Sequence, residues 1–349
     1  MKILVADTQY PFGHQNLNNH IIKILSNISD VDMIKVLNYN EYYHKFNDPK
    51  ISLLKLHYLL FCRNEYLRYI LSFINAVILG IRLITIEYDK VVFFTFDTLS
   101  FGILRLFIRK PIYIFHHNNT DHLQNKYKYI FFKTYANNVH HILFADFIRT
   151  YLLKRGVKDS LLHTIPHPLP ITSSHSISDK KETDGSIKRF IALGHGNDES
   201  LISAIISYEY KKRLLEFNKI ELVIRSRQSS RNLPTSIKII SHYLTREEYD
   251  SLYTSATGVL ILFSSNFKNR YSGTLLDAFY YRKNVIGRDI PIVQLFTQMY
   301  PKSCYVFKDE KDLVERLCSK LDFDENEYNN FLSIHSDNSI QHCLNEILL

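Results

Sequence analysis

Short runs of β-branched and aromatic residues alternate with longer stretches of helical period from the first residue onward. Residues 2–6, 33–37, 90–96, 111–115 and 141–144 read as strands, and residues 18–26, 52–85 (one helix or two), 99–108, 125–137 and 147–155 as helices. Strand and helix in alternation predict a parallel sheet covered by helices. The pattern breaks at residues 164–170, Thr-Ile-Pro-His-Pro-Leu-Pro, where three prolines cannot continue a helix, and a polar linker at 173–186 follows. Alternation then restarts, with strands at 189–193, 220–225, 237–241, 258–263, 284–286 and 304–307 and helices opening at Glu199, Thr245, Thr274 and Lys311. Thr245-Arg-Glu-Glu248 forms a capping box, a firm helix start. Residues 326–349 read as helical and able to pack back over the first lobe.

The expectation is an α/β chain of two Rossmann-like, doubly wound domains facing across a cleft: residues 1–168, residues 169–330, and a C-terminal helix in 331–349. A length of 349 residues agrees, because single cores rarely grow past roughly 250–300 residues. Such sheets bind ligands at the carboxyl ends of their strands, so function is sought in the strand-to-helix turns.

Charge changes the picture more than composition does. The net charge is +8, and residues 1–168 hold all of the excess, with 20 Lys+Arg against 12 Asp+Glu; residues 169–349 hold 23 of each. That asymmetry suits an anionic membrane or a nucleic acid, although no nucleic-acid motif is visible and a simply solvated surface is the plain alternative. The uncharged apolar run 69–81 is thirteen residues, short of the ~20 that span a bilayer, and Asp7 interrupts the N-terminal apolar run, so neither a transmembrane helix nor a signal peptide is expected. Cys62, Cys304, Cys318 and Cys343 are scattered and read as reduced thiols of a cytosolic protein.

Three turns carry candidate chemistry. The first, residues 9–16, places Gly13 and His14 between a strand and a helix N-terminus, which favours anionic or oxygen-rich ligands. The second, 116–122, is His-His-Asn-Asn-Thr-Asp-His after a strand; His117, Asn118 and Asp121 suit sugar hydroxyls or proton transfer, against the plainer reading of a helix-capping loop. The third runs from Phe267 to Pro291. There Lys268 and Arg270 precede Ser272, Gly273 and Thr274 at a helix start suited to a diphosphate, with Asp277 one turn in, able to bond a ribose diol or else to be consumed in a cap with Thr274.

Residues 272–287, Ser-Gly-Thr-Leu-Leu-Asp-Ala-Phe-Tyr-Tyr-Arg-Lys-Asn-Val-Ile-Gly, resemble the donor-binding signature of bacterial GT-B glycosyltransferases of the retaining, group 1-like kind, where a Gly-containing loop opens a Leu-Leu-Glu-Ala helix. The resemblance implies that Asp277 holds the nucleotide ribose. It continues diffusely through residues 140–157, 164–168, 189–194, with Gly194 in the first second-domain turn, and 243–253, where Tyr243 begins the helix beside the base. Departures are plain: His195 stands where the family has a phosphate-clasping Arg, no Lys follows it, and Asn269 replaces the usual Glu. Phosphate charge is therefore expected from Arg225, Arg227, Lys268 or Arg270.

The reading that follows is a metal-independent hexosyltransferase with no cofactor, moving a sugar from a nucleotide-sugar to a saccharide acceptor in surface polysaccharide (O-antigen or capsule) synthesis. Helix dipoles and basic side chains neutralise the leaving diphosphate, and both Asp-x-Asp triplets, at 30–32 and 322–324, sit away from strand carboxyl ends. If the anomeric centre inverts, the resemblance of Pro-Phe-Gly-His to the Gly-His turn of inverting GT-B enzymes makes His14 a candidate base, beside His117 and Asp121. Cations and aromatics interleave at 50–69 and 126–133, which suits a lipid-linked acceptor at the cytoplasmic face of an anionic membrane. A nucleotide-sugar 2-epimerase of the same fold and a nucleic-acid binder are the alternatives.

Overall fold

A computed structural model describes residues 1–7, 14–38, 42–43, 46–55, 60, 62, 64–117, 119–169, 187–227 and 232–349. Gly13, Asn118 and the 173–186 linker lie outside them. The chain forms two compact units: Met1–Ile171 with Asn269–Tyr271 and His335–Leu349, and Thr172–Lys268 with Ser272–Ile334.

In the first unit the elements run β1 Lys2–Val5, α1 Gln15–Ser26, β2 Met33–Asn38, β3 Ile51–Lys55, α2 Glu65–Thr85, β4 Lys90–Phe93, α3 Phe101–Leu104, β5 Ile112–Phe115, α4 Asn119–His122, α5 Lys126–Tyr135, β6 His140–Leu143, α6 Asp146–Lys154 and β7 Leu162–Thr164. The strands pair in parallel in the order β3-β2-β1-β4-β5-β6-β7. Strands covered on both faces carry continuous apolar runs, and β5, Ile-Tyr-Ile-Phe, is buried throughout.

The second unit runs β8 Lys188–Ala192, α7 Glu199–Lys212, α8 Leu214–Phe217, β9 Ile220–Arg225, β10 Ile237–Ile240, α9 Arg246–Ser255, β11 Gly258–Ile261, α10 Gly273–Tyr280, β12 Asn284–Arg288, α11 Pro291–Met299, β13 Cys304–Phe307, α12 Glu310–Cys318 and α13 Glu325–Ile334. Its parallel order is β10-β9-β8-β11-β12-β13. The capping box at Thr245 forms as read, with the Glu248 side chain returning to the Thr245 N–H at 2.7 Å.

The last helix, α14 Asp337–Leu348, belongs to the first unit. Ile340, Leu344 and Leu348 enter the core that holds Ile22 of α1, Val36 of β2 and Ile3 of β1. Gln341 donates to the Asn27 carbonyl at 3.0 Å, and Lys90 donates to that of Leu348.

Four readings change. Residues 52–55, read as the start of a helix, belong to the edge strand β3, and 162–164 add β7 just before the prolines. The segment 326–349 is two helices, broken where Ser336 caps α14 by accepting from the Ser339 N–H. Helix α11, with Pro291 in its first turn, is new to the structure.

Strand order reverses between β1 and β4 in one sheet and between β8 and β11 in the other, the positions where doubly wound sheets open a crevice beyond their carboxyl ends.

Candidate functional site

In the second unit the turn after β8 and the end of β9 meet. Gly194 lies so close to Phe263 that a Cβ there would sit 2.3 Å from the ring, so only glycine fits without a shift. The next residue, His195, turns its Nε2 to Arg225, 2.9 Å from the guanidinium. Arginine can only donate, so Nε2 accepts and the ring proton sits on Nδ1. Burial, then the charges of Arg225 and Arg227, lower the His195 pKa and keep the ring neutral. Tyr243 lies over the Arg225 guanidinium at 4.8 Å. Glu199 fixes the floor by accepting from the Ser226 hydroxyl at 2.5 Å and the Arg227 N–H at 2.9 Å. Together these residues line a cavity of about 350 Å³ with two arginines at its wall.

Beyond β11, Ser272 caps α10 by accepting from the Leu275 N–H at 3.2 Å. The cap therefore uses Ser272, not Thr274 with Asp277. Gly273 is the first helical residue, and the Thr274 carbonyl accepts from the Tyr253 hydroxyl at 3.3 Å. Asp277 is half-buried; one oxygen accepts from the Tyr249 hydroxyl at 2.7 Å, while the other has no hydrogen-bond partner among the described residues. Burial lifts its pKa to about 6, partly offset by that hydrogen bond and by Arg246. The carboxylate is thus oriented by one oxygen and open at the other. Lys268 is exposed and forms no ion pair among the described residues.

A larger cavity, about 630 Å³, lies beside edge strand β10, but its charges are already satisfied: Glu221 pairs with Arg189 and Lys238.

In the first unit the β1–β4 reversal is tied by Asp7, whose buried carboxylate accepts from Tyr43 Oη at 2.5 Å, Phe94 N–H at 2.9 Å and Thr95 N–H at 2.7 Å. Burial still raises its pKa to about 6. His14, at the start of α1, stacks on His117, with ring centroids 4.5 Å apart and an interplanar angle of 16°. Both pKa values are lowered by burial, and His117 Nε2 is enclosed without a hydrogen-bond partner among the described residues. His116 takes no part in this pair: its Nε2–H donates to His141 Nδ1 at 2.8 Å, and His141 Nε2–H donates to the Ala136 carbonyl.

Asp121 and Arg270 come together differently from the sequence reading. Arg270 Nε lies 3.0 Å from Asp121 Oδ2, and Asp121 Oδ1 accepts from the Asn269 N–H at 2.7 Å. The Asn269 carbonyl accepts from the Thr120 hydroxyl, and Tyr271 stacks on His167 at 5.2 Å. Asp121 is therefore an anchor for residues 269–271, and Arg270 is spent on it rather than presented to a phosphate. Among the groups that sequence reasoning missed are Tyr249, Tyr253, Glu199 and Asp7. Tyr249 and Tyr253 had a signal, their i, i+4 spacing on a helix already marked by its capping box.

No family model matches the chain, and no curated protein matches it. Solved structures do. The apo lipopolysaccharide outer core galactosyltransferase WaaB superposes with a TM-score of 0.68 at 14% identity over 100% of this chain and 99% of its own. HepE of Anabaena in complex with UDP gives 0.67 at 13%, again over 100% and 99%, and apo OtsA gives 0.65 at 9% over 99% and 98%. These matches cover 99–100% of the chain, and the chain accordingly has the GT-B fold, two Rossmann-like α/β domains with wholly parallel sheets.

Proposed function

We propose that the chain is a glycosyltransferase whose second unit binds a nucleotide-sugar donor. The observation that carries this is the Asp277 carboxylate, held by Tyr249 through one oxygen and open at the other, in the first turns of a helix that starts beyond a strand's carboxyl end. An acid so placed suits the vicinal hydroxyls of a ribose. Arg225, Arg227 and neutral His195 supply cation and N–H donors for the diphosphate where the family pattern has Arg and Lys, so charge neutralisation needs no metal. HepE, of the same fold, is solved with UDP and with UDP-glucose, which supports the donor class.

On this reading the first unit supplies the acceptor side, with His14 as the general base if the anomeric centre inverts and His117 stacked against it as a positioning residue. The acceptor we favour is a lipid-linked saccharide of surface polysaccharide synthesis at the cytoplasmic face of the membrane, a choice supported by the positive first half of the chain.

The test is a thermal-shift screen of nucleotide-sugars on wild type and Asp277→Ala. A donor in excess should raise the unfolding temperature of wild type by several degrees, and the variant should need about 10- to 100-fold more of it, the worth of one hydrogen bond to a charged group. An equal response in both proteins would remove Asp277 from the site.

A further inference from the structure

Helix α2 turns an apolar face outward. Leu67, Ile70, Ile74, Ile78, Ile81 and Ile84 recur every three or four residues and are each 41–66% exposed, over a helix roughly 30 Å long. The opposite face is committed to the unit. Ala76, Leu79 and Leu83 are buried, and a Cβ on Gly80 would meet the Phe107 ring at 2.5 Å. Asn75, also buried, holds both the N–H and the carbonyl of Leu60 at 2.9 Å. Packed beside α2 are α3 and the helical turn Arg105–Phe107, where Leu106 is 72% exposed; α5, packed on α3, adds exposed Tyr127 and Ile130. Soluble monomers rarely leave so extended an apolar surface open to water.

Charge identifies what covers it. Residues 67–85, 99–110 and 126–135 carry eight Lys and Arg and no Asp or Glu, as many cations as the net charge of the whole chain. A second copy seated through the same face would set these cations against their own kind. An anionic bilayer neutralises them and receives the apolar stripe.

We propose that α2, with the Leu106 turn and α5, is an in-plane membrane anchor that seats the first unit on an anionic lipid surface. By length and composition Leu67–Thr85 would also suffice to cross a bilayer. Crossing would strip Asn75 from Leu60 and Gly80 from Phe107, so the helix lies along the interface instead. The anchor gives the proposed lipid-linked acceptor a physical basis; it rests on that reading for its purpose and on α2 and its neighbours for its evidence.

The experiment is co-sedimentation of the full chain, without any sugar nucleotide, with vesicles of phosphatidylcholine alone or mixed with phosphatidylglycerol. Wild type should bind the mixed vesicles, less so as salt is raised. Ile74→Asp with Ile81→Asp should lower the partition coefficient at least about tenfold while the donor-induced thermal shift persists. Arg105→Gln, Arg109→Gln and Lys110→Gln together should flatten the salt dependence with the apolar face intact. Wild type left in the supernatant, or both variants binding like wild type, would overturn the proposal. So would a dimer in vesicle-free buffer that the aspartates dissolve, since it assigns the face to a second copy. A chain that binds vesicles yet ignores every nucleotide-sugar would sink the donor reading and leave the anchor standing.

Discussion

Both oxygens of Asp121 are engaged, one by the Asn269 N–H and one by Arg270, whereas His14 offers a neutral ring stacked on His117. Two substitutions separate these roles. Asp121→Asn should cost about 1–3 kcal/mol of stability, read by calorimetry, because it strips a partly buried guanidinium of its counter-charge. His14→Gln should lower kcat about 10²- to 10⁴-fold while a nucleotide-sugar still raises the unfolding temperature. A His14→Gln enzyme of normal kcat would take the base away from this residue. Sequence could mark Asp277, because its turn and helix lie within six residues of chain. It could not mark Tyr249 as its partner, 28 residues away, or join Asp121 to Asn269, 148 residues away, because such pairings are made by the sheet and leave no local pattern.

At the scale of elements, buried parallel strands were legible because both faces are apolar, and the strand β9 runs at the residues expected, Ile220–Arg225. Edge strand β3 was not. Its Ile-Ser-Leu-Leu-Lys is only partly covered and fits either period, so an adjoining helical stretch absorbs it. The break at Ser336 is visible only as a single capping serine in a polar run. Helix α14 places Leu344 in the first unit's core with no exposure at all. Leu344→Ala should cost about 2–5 kcal/mol, seen as a lowered calorimetric transition, as cavities in such cores do. A change within about 0.5 kcal/mol would mean that α14 contributes little there.

For the molecule as a whole, buried imidazoles set the response to acid. Burial lowers the pKa of His141 and His335 to about 4 and of His167 to about 3, all in the first unit. A depressed pKa contributes stability that is present above the unfolded value near 6.5 and lost as pH falls through the folded one. Asp7 and Asp277, each raised to about 6, have the opposite sign: their contribution is present below about 3.8 and lost as pH rises through 6. In the first unit the imidazoles that burial depresses, His14 and His117 among them, outnumber the one raised carboxylate, so its transition should fall between pH 6.5 and 4, by up to about 1.4 kcal/mol per pH unit for each group. The second unit, where the lowered His195 opposes the raised Asp277, should change less. Calorimetry across that range tests this, with Leu344→Ala marking which transition belongs to the first unit.

That same unit is closed by α14, far along the chain from the sheet it covers. Roughly 170 residues are translated between β7 and α14, about ten to thirty seconds of synthesis at ~5–20 residues per second. Until α14 is made, the core that Ile340, Leu344 and Leu348 complete lacks these three side chains. A ribosome stalled before residue 337 would hold out an apolar groove for a chaperone to cover.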